Sequence, residues 1–299
     1  VKLVHFKTNQ FNWDDPCLMI RVCYNAGLDV ACGEIVFHQS DDDWVAPDFI
    51  ERMVALFVEN PQCTTAKGRS VSVLPDGRLV PTPPANRGRY IPGLELALDY
   101  IAGSKKIRQG DPGFSFVMLK DELLKLGGFH SDFENQQYFA LVPFGVTGYD
   151  PDAYMYWRRH ELQLNKMGNA RGVFWGMYGE QFLADTSMAV VSRWRSLFGN
   201  EAATALENFV LDIVARDYCK VITHRIFGFK LPEALRFARR LFNSAARRHL
   251  SRKNLSEGVH FGLSMSPAGR IFLRCTSLAR GILVDPIETT RKVIRRIRI

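Results

Sequence analysis

The sequence has no run of about 18 uncharged apolar residues, so no membrane-crossing helix is indicated. Nor is there a C-x-x-C pair among Cys17, Cys23, Cys32, Cys63, Cys219 and Cys275. That spacing supports neither a zinc site nor a disulfide framework, and buried reduced thiols in a cytosolic protein are the expectation. No basic-then-apolar leader opens the chain, and no internal repeat runs through it. A disordered composition is also absent: 46% of the 299 residues are hydrophobic and 23% charged, enough for a real core.

Acidic residues are scarce in one part only. From 190 to 299 there are 21 Lys/Arg against 8 Asp/Glu, while the first 189 residues carry 18 against 23; +13 and −5 give the net +8. A basic segment behind a slightly acidic body fits work against an anionic surface. Leu235, Phe237, Ala238, Leu241 and Phe242 interleave with Arg236, Arg239, Arg240, Arg247 and Arg248. This pattern fits a helix lying on a membrane surface or an ordinary surface helix with a solvated basic face. Arg291, Lys292, Arg295, Arg296 and Arg298 extend the basic character and favour contact with an anionic membrane. The cations alternate with apolar stripes rather than aromatic platforms, so no nucleic-acid partner is expected.

What the chain does have is an acidic triplet in a particular setting. Ile35-Val36-Phe37 is apolar without alternation, as in a strand covered on both faces. Asp41-Asp42-Asp43 follows, then Pro47 and the helix-spaced Phe49, Met53, Leu56 and Phe57, with Asn60-Pro61 as the stop. Carboxylates at the carboxyl end of a buried strand lie where open α/β sheets bind ligands. Clustered hard oxygens suit Mg²⁺ or Mn²⁺ holding substrate phosphates, and equally a solvated turn that caps the next helix.

The remaining signals set the frame. Residues 1–6 read as a strand, and a helix starting at Asp15-Pro16 runs toward Ala31. Pro75-Asp76-Gly77 predicts a hairpin, followed by a breaker-rich loop carrying Arg87, Arg89 and Tyr90 for an anionic or sugar ligand, or simply for solvent. A helix at 94–101, a strand at 114–119, a helix at 120–126 and a turn at 149–152 before the run 153–157 come next. The βαβα order predicts an α/β fold with a mainly parallel sheet flanked by helices over 1–175, then a basic helical region, 176–299.

Three blocks in order resemble family 2 glycosyltransferases of the Rossmann-like GT-A fold. Arg21-Val22-Cys23-Tyr24-Asn25-Ala26-Gly27, with Gly33-Glu34-Ile35-Val36 and Ser40-Asp41-Asp42-Asp43-Trp44, is similar to the asparagine-glycine helix, the Gly-Glu strand opening and the D-x-D metal motif. Gly127-Gly128-Phe129 resembles the Gly-Gly-Phe turn below the acceptor site. Tyr156-Trp157-Arg158-Arg159-His160, with Gln163, resembles the aromatic-Arg-x-His segment that closes over the diphosphate. The blocks span roughly 150 residues, their joint order carrying the signal.

The resemblance implies a metal-dependent, inverting, non-processive transfer of sugar from a nucleotide-sugar to a glycan or lipid-linked acceptor. Asp41 and Asp43, or Ser40 and Asp42 when the motif is aligned on Trp44 and Pro47, would serve the divalent cation, Mg²⁺ or Mn²⁺, and His160 would complete its shell or donate to the diphosphate. Asn25, Asp42 and Arg159 would serve the nucleotide diphosphate. The family's acidic pair after Gly-Gly-Phe falls by position on Gln136-Gln137, leaving Asp132 and Glu134 as the nearest candidates for the base. The Pro-x-Tyr-Asn strand and second acidic motif expected ahead of Val1 are not in the sequence, so the resemblance implies a chain lacking its first strands. Ser192-Arg193-Trp194 lacks the glutamine of the processive Gln-x-x-Arg-Trp signature. A non-catalytic relative that binds a glycan or partner is the alternative, and the expected location is cytoplasmic, with peripheral attachment to the inner face of a membrane as an option.

Overall fold

The computed structural model describes residues 2–9, 20–84, 87–102, 116–130, 137–163, 167 and 179–265. Two compact units divide the chain: Val1–Met167 with Tyr178–Val210, and Gly168–Met177 with Leu211–Ile299.

The first unit is α/β. A π-helical turn, Ile20–Tyr24, leads into α1 (Asn25–Val30), then β1 (Ile35–Phe37), β2 (Trp44–Val45) and α2 (Phe49–Glu59). Next come β3 (Cys63–Val73), β4 (Leu79–Pro81), β5 (Tyr90–Pro92), α3 (Gly93–Ile101), β6 (Val117–Leu119) and α4 (Lys120–Lys125). A second π-turn, Gln137–Leu141, a 3₁₀ turn, Val142–Phe144, and β7 (Val146–Arg158) precede the helical run α5 (Gly179–Phe227), which breaks at Gly199 (φ 88°).

The sheet has the order β1-β6-β3-β7-β2, with β4 beside β3 and β5 beside β7. Of its six pairings only β3·β7 is parallel, which corrects the expected mainly parallel sheet to a mixed one. The reason is specific. β6 is antiparallel to both β1 and β3, so β1 and β3 still run the same way, as a βαβ crossover demands. A single inserted strand replaces one would-be parallel contact with two antiparallel ones.

The core under the site is made by α2. Phe49, Met53, Leu56 and Phe57 are all buried, as their helical spacing predicts, and pack with Cys63, Ala66, Val117, Ala153 and Met155 of the sheet. Gly68 sits where β3 shifts register against β7, and a Cβ there would lie 2.3 Å from the Ala153 carbonyl and 2.7 Å from the Phe49 ring. A second, aromatic cluster joins Tyr100, Phe139, Trp194 and Phe209. Trp194 is fully buried, and its indole N–H donates to the Phe139 carbonyl at 2.7 Å.

Three further expectations change. Residues 2–6 form no strand. The turn expected at 149–152 lies inside the continuous β7, where buried Asp150 accepts from Arg52 at 3.2 Å and from the Asp152 amide at 2.9 Å. The loop cations are already neutralised: Arg89 grips Glu59 with two 2.9 Å bonds, Tyr90 donates to the same carboxylate at 2.8 Å, and Arg87 pairs with Glu95 and Asp99.

The second unit is helical. It contains the latter part of α5, α6 (Leu231–Asn243), a 3₁₀ turn, Ala245–His249, and α7 (Arg252–Met265). Asn254 is buried and donates to Asp212 at 3.0 Å and to the His249 carbonyl at 2.9 Å, while Gly258 packs against Cys219.

Candidate functional site

The site is built where the turn after β1 meets the end of β7. The Asp43 amide donates to the Ser40 carbonyl at 3.3 Å, and the Gln39 side chain donates to the Asp43 carbonyl at 2.6 Å, which shapes the turn. β2 then pairs antiparallel with β7, Trp44 opposite Tyr156, and their rings stack at 5.4 Å and 13°. That pairing sets the acidic turn beside the Arg158-Arg159-His160 segment.

Two hydrogen bonds join the segments. The Arg158 amide donates to Asp43 Oδ1 at 3.0 Å, across 115 residues of sequence. His160 Nε2 and Asp42 Oδ2 lie 2.8 Å apart, both side chains about one-third exposed (34% and 32%). The arginines are held as well. Arg159 lies over the Trp157 ring at 3.3 Å, and its Nε donates to Ser72 at 3.4 Å. Arg158 lies over Trp44 at 5.5 Å, and Gln163 Nε2 ties the turn by donating to the Arg158 carbonyl at 2.8 Å. Gln163 Oε1 is buried with no hydrogen-bond partner among the described residues.

The electrostatics follow from this crowding. Burial pushes the Asp43 carboxyl up to about 6; the Arg158 amide opposes the shift, Asp42 adds to it, and the two guanidinium groups oppose it. Burial also lowers Arg159 from its usual value, against the pull of Asp43. Tyr24, pushed up to about 12 by burial and then by Cys23, Asp41 and Asp42, backs the triplet. It also touches His38, ring centres 4.5 Å apart, and Phe129 edge-on at 5.4 Å.

Asn25 belongs to this back wall. Its Nδ2 donates to the Phe129 carbonyl at 2.9 Å, and its Oδ1 accepts from the Phe129 amide at 2.7 Å. Gly127 and Gly128 turn at φ 81° and 87°, and a Cβ on Gly128 would meet Asn25 Oδ1 at 2.2 Å. Both amide atoms of Asn25 therefore hold the Gly-Gly-Phe turn.

All three sequence blocks thus meet, though not in the expected pairing. His160 sits on Asp42 rather than with Asp41 and Asp43, and no group of three or more His, Cys, Asp or Glu is placed to hold a metal among the described residues. Asp132 and Glu134 lie outside the described residues. Sequence reasoning missed Tyr24 and Ser72 as parts of the site. Tyr24 had a signal in its place beside Asn25, whereas Ser72 reaches Arg159 only through the β3·β7 pairing, with Ser72 opposite Trp157.

The oxygen donors that could hold a divalent cation are the carboxylates of Asp41, Asp42 and Asp43. Mg²⁺ ordinarily takes one or two carboxylates and completes its shell with substrate phosphates, so three protein ligands are not required. No family model matches the chain, and no curated protein matches it at a significant level.

Proposed function

We propose that the chain is a glycosyltransferase of the GT-A type that uses a nucleotide-sugar donor. The observation that carries this reading is the joining of the acidic turn to the Arg158-Arg159-His160 segment through Asp43 and Asp42. Carboxylates beside a pair of arginines would set a cation next to groups that take phosphate oxygens.

Asp43 and Asp41 would hold Mg²⁺ or Mn²⁺. When bound, the cation supplies positive charge to oppose the negative charge that develops on a leaving diphosphate. Arg159, fixed by Trp157 and Ser72, places a permanently charged fork beside Asp43 for phosphate oxygens. His160 orients the Asp42 carboxylate and is positioned to donate to an anionic ligand. The base that takes the acceptor's proton is assigned to the polar stretch after Phe129, with Asp132 and Glu134 as candidates. The acceptor class, a glycan or lipid-linked hydroxyl, and the inverting course follow from the family resemblance alone, and the non-processive course from the glutamine missing ahead of Ser192-Arg193-Trp194.

The test is release of nucleoside diphosphate from a panel of nucleotide-sugars, with and without Mn²⁺. Cation-dependent release that falls about a hundredfold in Asp43→Asn supports the proposal, a loss of the size seen when a charge-stabilising group is removed. Release indifferent to cation and to that substitution sinks it. The second reading, a non-catalytic binder of glycans on the same scaffold, is favoured by the engagement of Asn25 and His160 in structural contacts. Glycan binding without any release would select it.

A further inference from the structure

Helix α6 of the second unit has three faces. Ala234 and Leu241 are buried and Phe237 and Ala238 half-buried, forming the side that packs. At 3.6 residues per turn, Leu231, Leu235 and Phe242 fall within about 40° of one another. They are 58%, 62% and 59% exposed. Continuing round the helix, Arg239 follows about 40° beyond the stripe and Arg236 and Arg240 about 100° and 140° beyond it, and all three are exposed. Phe229, just before the helix, is 96% exposed with φ 57°, so packing does not account for a phenylalanine there.

The helix and the residues flanking it are also strongly basic. From 229 to 253 all eight Lys/Arg are exposed: Lys230, Arg236, Arg239, Arg240, Arg247, Arg248, Arg252 and Lys253. The one acid in that span, Glu233, is paired with Arg225 at 3.2 Å. α7 repeats the motif on a smaller scale, with Leu255 (54% exposed) and Val259 (48%) a turn apart near Arg252 and Lys253. The chain's own end is an unsuitable cover, because residues 266–299 carry eight Lys/Arg against two Asp/Glu. Among the described residues no helix is long and apolar enough to cross a membrane, so contact with a bilayer would lie along its surface.

We propose that α6 and the residues flanking it dock flat on a bilayer bearing anionic lipid headgroups. Phe229, Leu231, Leu235 and Phe242 enter the headgroup–acyl boundary while the arginines pair with headgroup phosphates and carboxylates. A bilayer interface meets both demands at once, an apolar layer directly beneath a negative one. The inference is independent of the enzymatic reading.

The test is co-sedimentation of the full chain with vesicles of phosphatidylcholine alone and with added phosphatidylserine. Binding should require the anionic lipid and weaken as salt rises. R236Q/R239Q/R240Q should weaken it about a hundredfold, from roughly fivefold per basic residue near the surface. L235S/F242S leaves the charge unchanged and should also release the chain; all five side chains are exposed, so circular dichroism should be unaltered. Three results would overturn the proposal: equal binding to neutral vesicles, no binding to either, or binding that L235S/F242S does not change. A concentration-dependent dimer that L235S/F242S dissolves would instead assign the stripe to a second copy of the chain.

Discussion

Asp43 sits under two opposing demands. Its carboxylate is the group we propose for a cation, yet burial, with a smaller push from Asp42, resists ionisation and pushes it up to about 6. In the unfolded chain an aspartate titrates near 3.9. The folded state therefore holds the proton more tightly, and its contribution to stability falls as pH rises from about 4 to about 6. Asp43→Asn removes that loss, so thermal unfolding at pH 7.5 should occur at or above the wild-type temperature while cation-dependent transfer fails. His38 has the opposite sign. Burial lowers it to about 4 against roughly 6.5 when unfolded, so stability present above about 6.5 is lost as pH falls toward 4. His38→Gln should flatten that acid limb of a pH series of unfolding midpoints, leaving the Asp43 limb to be seen.

The elements differ in how much of them the sequence showed. α2 was legible because its apolar spacing and its Asn60-Pro61 stop are local, and so was the hairpin at Pro75-Asp76-Gly77, whose Gly77 turns at φ 81°. β5 and the unbroken β7 were not legible. A proline-rich stretch becomes a strand only because Ile91 finds Thr147 across the sheet, and Asp150 remains in β7 because Arg52 reaches it. The contact between Asn25 and Phe129 was equally hidden, although both motifs were visible. Asn25→Ala deletes two hydrogen bonds and should cost about 2 kcal/mol in denaturant unfolding, taking roughly 1 kcal/mol for each. Gly128→Ala should cost more, because it combines a left-handed φ with a clash on Asn25. Trp194, read in the sequence only as part of an incomplete signature, anchors the aromatic cluster. Trp194→Ala should cost about 3–5 kcal/mol in the same measurement.

At the scale of the whole molecule, the site exists because β2 pairs with the far end of β7. The sequence supplied both halves, Asp41-Asp42-Asp43 and Arg158-Arg159-His160, but no means to see which acid would meet which base. His160 was expected beside Asp41 and Asp43, but the register of Trp44 against Tyr156 delivers it to Asp42 instead. Sheet direction was hidden for a similar reason, since nothing local in Val117-Met118-Leu119 says that it inserts between β1 and β3. We propose that the two halves form one cation-bridged diphosphate site. Calorimetric titration of nucleoside diphosphates into the full chain, with and without Mn²⁺, tests it most directly. Cation-dependent binding is expected, weakened at least about tenfold by Asp43→Asn and by Arg159→Ala, since each substitution removes one charge-assisted interaction with the bound group. Binding equal without Mn²⁺, unchanged in both variants, or absent altogether would contradict it.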